Sequence, residues 1–145
     1  MPFQFSLAAV LRYRESVEHA EFLALEKLQH AISAIEHKIR QVEESRVVAA
    51  QTRGAELTRG VQAAHLQSAY EYEIDLERQH ALLRTQLRDA RSKWQQQLHS
   101  FQAARRKREL LQNLRDQRAD IYNREQAKRE QNVVDDIFLA RHKRH

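Results

Sequence analysis

The chain contains almost no residues that stop a helix. Its 145 residues include only two glycines and one proline, although these residue types usually make up about 7% and 5% of a protein. A compact globular domain needs many sharp reversals, and glycine and proline supply the backbone angles for most of them. The sequence therefore predicts an all-α chain that consists mostly of long helices.

A helical repeat runs through the first third of the sequence. Steps of three and four residues join the members of one helix face, which are Phe3, Leu7, Val10, Arg14, Val17, Glu21, Ala24, Leu28, Ile32, Ile35, Ile39 and Val42. This spacing is typical of a helix that packs along a second helix. Arg14 and Glu21 interrupt the face, so we expect the tightest packing from Leu28 to Val42.

Both glycines lie where this repeat stops. Gly54 and Gly60 are suited to end a helix, because glycine adopts a positive φ at little cost. We therefore place the only sharp reversal here. The chain is predicted to be a single coiled-coil domain, 1–145, with four parts: helix 1, about 6–50; a turn, about 50–62; helix 2, about 61–130; and a short basic C-terminal tail, 131–145.

The second helix carries its own apolar stripe. Its members are Tyr72, Leu76, Leu83, Leu87, Ala90, Trp94, Leu98 and Phe101, with either Gln79 or His80 in the gap. A reversal near residue 56 would place residue 7 opposite a position near 105. The predicted fold class is therefore all-α: an elongated two-helix antiparallel coiled-coil hairpin with a helical C-terminal overhang.

The stretch FQFSLAAVL marks the start of helix 1. Ser6 is suited to the N-cap, and Phe5 before it can close over Val10 as a hydrophobic staple. Its apolar positions continue in phase into the helical repeat, so we interpret this stretch as part of the fold and not as a targeting peptide.

Positive charge is concentrated in the last third of the chain. The net charge is +5, and residues 101–145 contain twelve Lys and Arg against seven Asp and Glu. The densest group is Arg105, Arg106, Lys107 and Arg108. Consecutive helical residues point about 100° apart, so these side chains surround the helix and form no stripe. We predict that this basic overhang binds an acidic surface of a partner.

The sequence contains no motif for catalysis, a cofactor or a metal. The stretch GAELTRG lacks the Lys-Ser/Thr that follows in a phosphate loop, and cysteine is absent. No histidine pair inside the predicted helices has the spacing of shared metal ligands; the eight histidines are His19, His30, His37, His65, His80, His99, His142 and His145. We therefore expect no enzyme activity and no cofactor. We also expect no transmembrane segment, because no apolar run reaches the roughly 20 residues required to span a bilayer.

Two segments resemble the flagellar export stalk family, FliJ. Near the start, the residues that carry the resemblance are Phe3, Phe5, Leu7, Val10, Leu11, Arg14, Glu18, Ala20 and Leu25. The first part of helix 2, GVQAAHLQSAYEYEIDLERQHALLRTQL, is also similar, with a glycine, tyrosines and heptad leucines. Stalk proteins of non-flagellar type III secretion systems are similar as well, so the choice between the two systems stays open.

This resemblance implies a non-enzymatic stalk and coupling component of the flagellar type III protein export apparatus. Family members sit in the export ATPase hexamer and touch the cytoplasmic domain of the export gate, and some escort export chaperones. The resemblance also implies a cytoplasmic location, peripheral at the inner membrane beneath the flagellar basal body. The alternative is a generic basic coiled-coil adaptor that binds nucleic acid or another helical partner.

The family's gate-binding surface aligns with four positions of helix 2, which are Tyr72, Leu76, Gln79 and Leu83. The family pattern has a small residue and a histidine at the last two positions, so Gln79 and Leu83 depart from it. His80 could supply the imidazole from an adjacent face. The same positions also suit the contact between the two helices, and both interpretations stay open.

Overall fold

A computed structural model describes residues 2–143 and contains two α-helices. Helix α1 comprises Ala8–Arg59 and helix α2 comprises Ala63–Lys143. The chain reverses over residues 60–62, and the two helices pack against each other as a hairpin. No strand occurs among the described residues, so the predicted all-α helical hairpin is confirmed.

The reversal is built on Gly60. This residue directly follows α1 and has a φ of +77°, the left-handed conformation that commonly ends a helix. The next helix begins where the carbonyl of Gln62 accepts hydrogen bonds from the main-chain N–H groups of His65 and Leu66, at 3.1 and 3.2 Å. Gly54 lies inside α1, which continues to Arg59 instead of ending near residue 50 as predicted.

The two glycines therefore predict opposite effects of an alanine substitution. Gly60→Ala is expected to lower the free energy of unfolding by about 1–2 kcal/mol, because a Cβ atom strains the left-handed backbone. Gly54→Ala is expected to raise it by about 0.5–1 kcal/mol, since alanine is the better helix former and no atom lies within 4 Å of the added Cβ. Urea unfolding followed by circular dichroism measures both. Equal effects at the two positions would contradict this account of the turn.

Helix α2 is longer than predicted. It runs without a break from Ala63 to Lys143, so residues 131–143 of the predicted basic tail continue the helix. The side-chain amide of Gln131 donates a hydrogen bond to the Asp135 carboxylate at 3.0 Å along this part of α2. Residues 144 and 145 of the predicted tail lie outside the described residues.

Helix α1 begins slightly later than the sequence suggests. The main-chain N–H of Leu11 donates to the carbonyl of Leu7 at 2.9 Å, which gives Leu7 the N-cap position instead of Ser6. The Ser6 hydroxyl instead accepts a hydrogen bond from the Arg118 guanidinium at 3.1 Å. Val10 is 42% exposed, so the helix start uses neither the predicted cap nor a fully buried staple.

Contacts divide the chain into two compact units. One unit combines the N-terminal residues through Glu21 with the C-terminal residues from Phe101, and the other is Phe22–Ser100. Each unit has three buried apolar residues: Phe5, Leu11 and Ala104 in the first, and Ile32, Ile39 and Leu76 in the second. Both hydrophobic cores are therefore small, as expected for a single contact surface per helix.

In the second unit, charged side chains join the helices alongside the apolar contacts. The pairs are Glu36 with Arg91 at 3.7 Å, Glu43 with His80 at 3.0 Å, Glu56 with His65 at 2.8 Å, and Arg53 with Glu73. In three of these pairs the acidic residue belongs to α1. In the Arg53–Glu73 pair the acidic residue belongs to α2.

In the first unit, the paired part of α2 extends well beyond residue 105. The contacts with the N-terminal part join Glu18 to Arg108, Ser6 to Arg118 and Phe3 to Tyr122. Within the described chain, the longest run in which every residue is exposed is 127–143. The C-terminal overhang therefore begins near residue 127, later than the predicted pairing of residue 7 with a position near 105 implied. The reason is that the turn lies at residues 60–62 and not near 56. In an antiparallel hairpin, moving the turn by one residue along the chain changes the partner of each α1 residue by two positions in α2.

Candidate functional site

The four residues predicted to meet the export gate line one groove of the second unit. Helix α2 contributes Tyr72, Leu76, Gln79, Leu82 and Leu83, and α1 contributes Lys38, Gln41, Val42 and Ser45. We call this surface the Tyr72 groove. The aligned positions thus share a single surface that is open to solvent and built from both helices.

The side chains of the Tyr72 groove differ in how much they expose. Tyr72 is 53% exposed and Leu76 is 5% exposed, while Gln79 is exposed and Leu83 is half-buried. An exposed tyrosine offers both an apolar ring and a hydroxyl to a partner. Tyr72 and Gln79 are therefore accessible for binding, whereas Leu76 holds the two helices together.

His80 fills the gap in the apolar stripe of α2. Its side chain is 15% exposed and its Nε2 atom lies 3.0 Å from Glu43 Oε1 on α1. The imidazole therefore contacts the facing helix and is not presented to a partner on an adjacent face. Of the two residues considered for the gap, the exposed Gln79 remains on the groove surface.

A second groove adjoins Tyr72 on the side of the turn. Its lining includes Val48, Ala49 and Thr52 of α1 and Ala69 of α2. Val48 is 59% exposed, so this groove offers apolar surface to a partner. The sequence pattern did not indicate this groove, because the apolar repeat of helix 1 stops at Val42.

The basic residues of α2 lie in the paired part of the first unit. Arg108 donates two hydrogen bonds to the Glu18 carboxylate, from Nε at 2.6 Å and from Nη2 at 3.2 Å. This hydrogen bonding raises the pKa of the Arg108 guanidinium. Such a two-pronged pair holds both side chains in one geometry.

The other three basic residues of this cluster are more accessible. Arg105 Nε donates to Glu109 Oε1 at 2.9 Å along the same helix. Arg106 and Lys107 are exposed and form no ion pair with any residue between 2 and 143. Of the four residues predicted to meet an acidic partner, these two therefore have charges that are not engaged by a facing carboxylate of the described chain.

Neither a metal centre nor a membrane-spanning helix is found in the described chain. No group of three or more His, Cys, Asp or Glu residues could hold a metal ion there. No described helix has an apolar stretch sufficient to cross a bilayer. The ring of His142 stacks on that of Phe138, with centroids 6.3 Å apart and an interplanar angle of 9°, and His145 lies outside the described residues.

The chain was compared with known protein families. A family model described as flagellar FliJ protein matches residues 3–145. No curated protein and no solved structure matches the chain. The matched range includes the Tyr72 groove, the basic residues of α2 and the N-terminal contacts around Arg118.

Proposed function

Because the chain belongs to the FliJ family of flagellar proteins, we propose that it is the stalk that links the export ATPase hexamer to the export gate. Membership in the family makes it a component of flagellar export. The observation that carries the proposal is a family match over residues 3–145 in a chain that folds as a helical hairpin. The proposed role is non-enzymatic, and it includes the escort of export chaperones.

In this proposal, two different surfaces of the chain bind the two partners. The Tyr72 groove in the second unit would bind the cytoplasmic domain of the gate, because it combines an accessible tyrosine with apolar neighbours. In the first unit, Arg106 and Lys107 would meet acidic groups of the ATPase. This role would place the chain at the cytoplasmic side of the inner membrane, beneath the flagellar basal body.

The observed charges do not favour the alternative of a nucleic-acid adaptor. Binding a nucleic-acid backbone requires a basic stripe or patch that is free to meet phosphates. In this chain Arg108 is held by Glu18 and Arg105 by Glu109. Of the four residues in the densest basic cluster, only Arg106 and Lys107 have no ion pair within the described chain, and two neighbouring charges on a helix do not make a stripe.

A bridging experiment tests the proposed function. The cytoplasmic domain of the cognate gate is immobilised, and the cognate export ATPase is applied with and without this chain. We expect the chain to increase the amount of ATPase retained on the gate. Binding of the chain to neither protein, under conditions where the chain is helical, would refute the stalk role.

The charge of the first unit is expected to affect the ATPase interaction. Replacing both Arg106 and Lys107 by glutamine should weaken ATPase binding roughly fivefold at low salt, at about 0.5 kcal/mol for each exposed charge. It should also make the affinity less dependent on salt, since fewer charges are screened. The measurement is a titration of ATPase binding at two salt concentrations.

The matched control replaces Arg84 and Lys93, two exposed basic residues of the second unit, by glutamine. It removes the same total charge from a different surface and should leave ATPase binding nearly unchanged. Equal losses in the two double variants would indicate an effect of net charge alone and would argue against a specific contact at Arg106 and Lys107.

A further inference from the structure

The last part of α2 carries an apolar face that the described residues leave uncovered. Val133, Val134, Ile137 and Phe138 are 57%, 58%, 51% and 68% exposed. Their spacing of i, i+1, i+4 and i+5 places them on one side of the helix. A cluster of large apolar side chains in water is typical of an interaction surface.

A charged residue lies at each end of this apolar face. Glu130 precedes Val133 and Val134 by three and four residues, and Arg141 follows Phe138 and Ile137 by the same steps. Helical spacing therefore puts both charges on the apolar side of α2. Neither forms an ion pair with another residue of the range 2–143. We call these six residues the terminal face: Glu130, Val133, Val134, Ile137, Phe138 and Arg141.

The terminal face is symmetric about the midpoint between Asp135 and Asp136. When a second copy of this segment is laid antiparallel to the first about this point, its Arg141 lies opposite Glu130 and its Ile137 lies opposite Val134. Apolar positions therefore coincide with apolar positions, and the acidic position coincides with the basic one. A surface of this kind is complementary to itself under a twofold rotation.

We propose that the terminal face binds a second copy of this chain, with the two α2 segments antiparallel. Each Glu130 carboxylate then meets the Arg141 guanidinium of the other copy, so one contact pair occurs twice. Between these pairs, the four apolar side chains of each copy pack against those of the other. The proposal goes beyond the stalk role and does not depend on it.

Charge favours this occupant over the two obvious others. A parallel pair of helices would place Glu130 beside Glu130 and Arg141 beside Arg141, and like charges at such positions oppose pairing. A lipid surface would have to take up both charged groups together with the apolar side chains that they flank, which is costly. Of these three arrangements, only the antiparallel second copy places an opposite charge beside both Glu130 and Arg141.

The proposed contact is small, so the association should be weak. From Glu130 to Arg141 the helix extends about 17 Å, which is well short of the contact needed for a standard interface. Sedimentation equilibrium of the full chain, from about 1 to about 300 μM, covers the affinities expected for such a contact. We expect the mean mass to rise with concentration from that of one chain towards that of two.

Charge reversal provides a matched set of variants. Glu130→Arg and Arg141→Glu should each weaken dimerisation about tenfold, because each puts like charges together twice. An equimolar mixture of the two variants should associate as the wild type does, since every contact then joins opposite charges. The double variant with both reversals should also recover self-association. Ile137→Asp should abolish it.

The altered side chains are exposed, so circular dichroism should show unchanged helicity in all variants. A wild-type chain that stays monomeric up to the highest concentration overturns the proposal, even if Ile137→Asp then weakens binding to the ATPase or to anionic vesicles. Charge variants that associate as tightly as the wild type overturn it as well, as does a mixture that fails to recover.

Discussion

Replacing Leu76 by alanine is expected to lower the free energy of unfolding by about 2–3 kcal/mol, near the lower end for a buried leucine. Leu76 is 5% exposed and is one of only six buried apolar residues in the described chain. It lies under the Tyr72 groove, where solvent can enter part of the space left by the missing atoms. Urea unfolding followed by circular dichroism at 222 nm measures the change.

Leu82→Ala is the matched control for Leu76. Leu82 lines the same groove but is 59% exposed, so its loss should change stability by less than about 0.5 kcal/mol. If Leu76→Ala were as mild as the control, Leu76 would not hold the helices together as its burial indicates. Any loss of gate binding in Leu76→Ala would then come from a lost contact with the gate and not from a destabilised hairpin.

Tyr72→Ala is expected to weaken binding to the cytoplasmic domain of the gate by about ten- to a hundredfold, in the range of an aromatic residue at the centre of an interface. Because Tyr72 is 53% exposed, we expect its loss to change the free energy of unfolding by less than about 1 kcal/mol. Calorimetric titration of the gate domain gives the affinity, and thermal unfolding of the same sample gives the stability.

The control for this prediction is Tyr70→Ala. Tyr70 is 61% exposed and does not line the Tyr72 groove, so gate binding should be retained. A Tyr72→Ala variant that loses helicity while keeping its gate affinity would identify Tyr72 as part of the contact between the helices. That outcome would leave the gate without its proposed binding residue.

The helical repeat located much of the contact surface in advance. Ile32 and Ile39 were expected on the α1 face and Leu76 on the α2 stripe, and all three are buried. This succeeds because side chains at steps of three and four residues must share a side of any helix. At the start of the chain the same reasoning fails, since Val10 is exposed and the adjacent Leu11 is buried. Counting back from Arg14, a step of four leads to Val10 and a step of three leads to Leu11, so the spacing alone does not decide which of the two is buried.

The turn could not be assigned from the glycines alone. A glycine inside a helix costs only about 1 kcal/mol, which contacts with the facing helix can outweigh. The Arg53–Glu73 and Glu56–His65 pairs hold α1 to α2 on either side of Gly54, and the chain reverses only at Gly60. These contacts join residues 9 and 20 positions apart across the turn, so the helical repeat within either helix does not reveal them.

The same limit affects the candidate binding residues. Arg108 was assigned to an overhang because its partner Glu18 lies ninety residues away in the sequence. Near the turn, the contact between the helices passes through Glu73, which is half-buried, and the adjacent Tyr72 is left exposed. A repeat of apolar residues cannot predict that a glutamate replaces a tyrosine in this contact.

The charged pairs across the second unit also limit how the two helices can slide along each other. A shift of one heptad, about 10 Å, would preserve much of the apolar repeat. In one direction, it would move Glu43 from His80 to Glu73 and bring two carboxylates together. In the other direction, it would move Arg53 from Glu73 to His80 and separate a cation from its anion. The change in the sign of these pairs near the turn therefore penalises slippage in both directions and selects a single register for the hairpin.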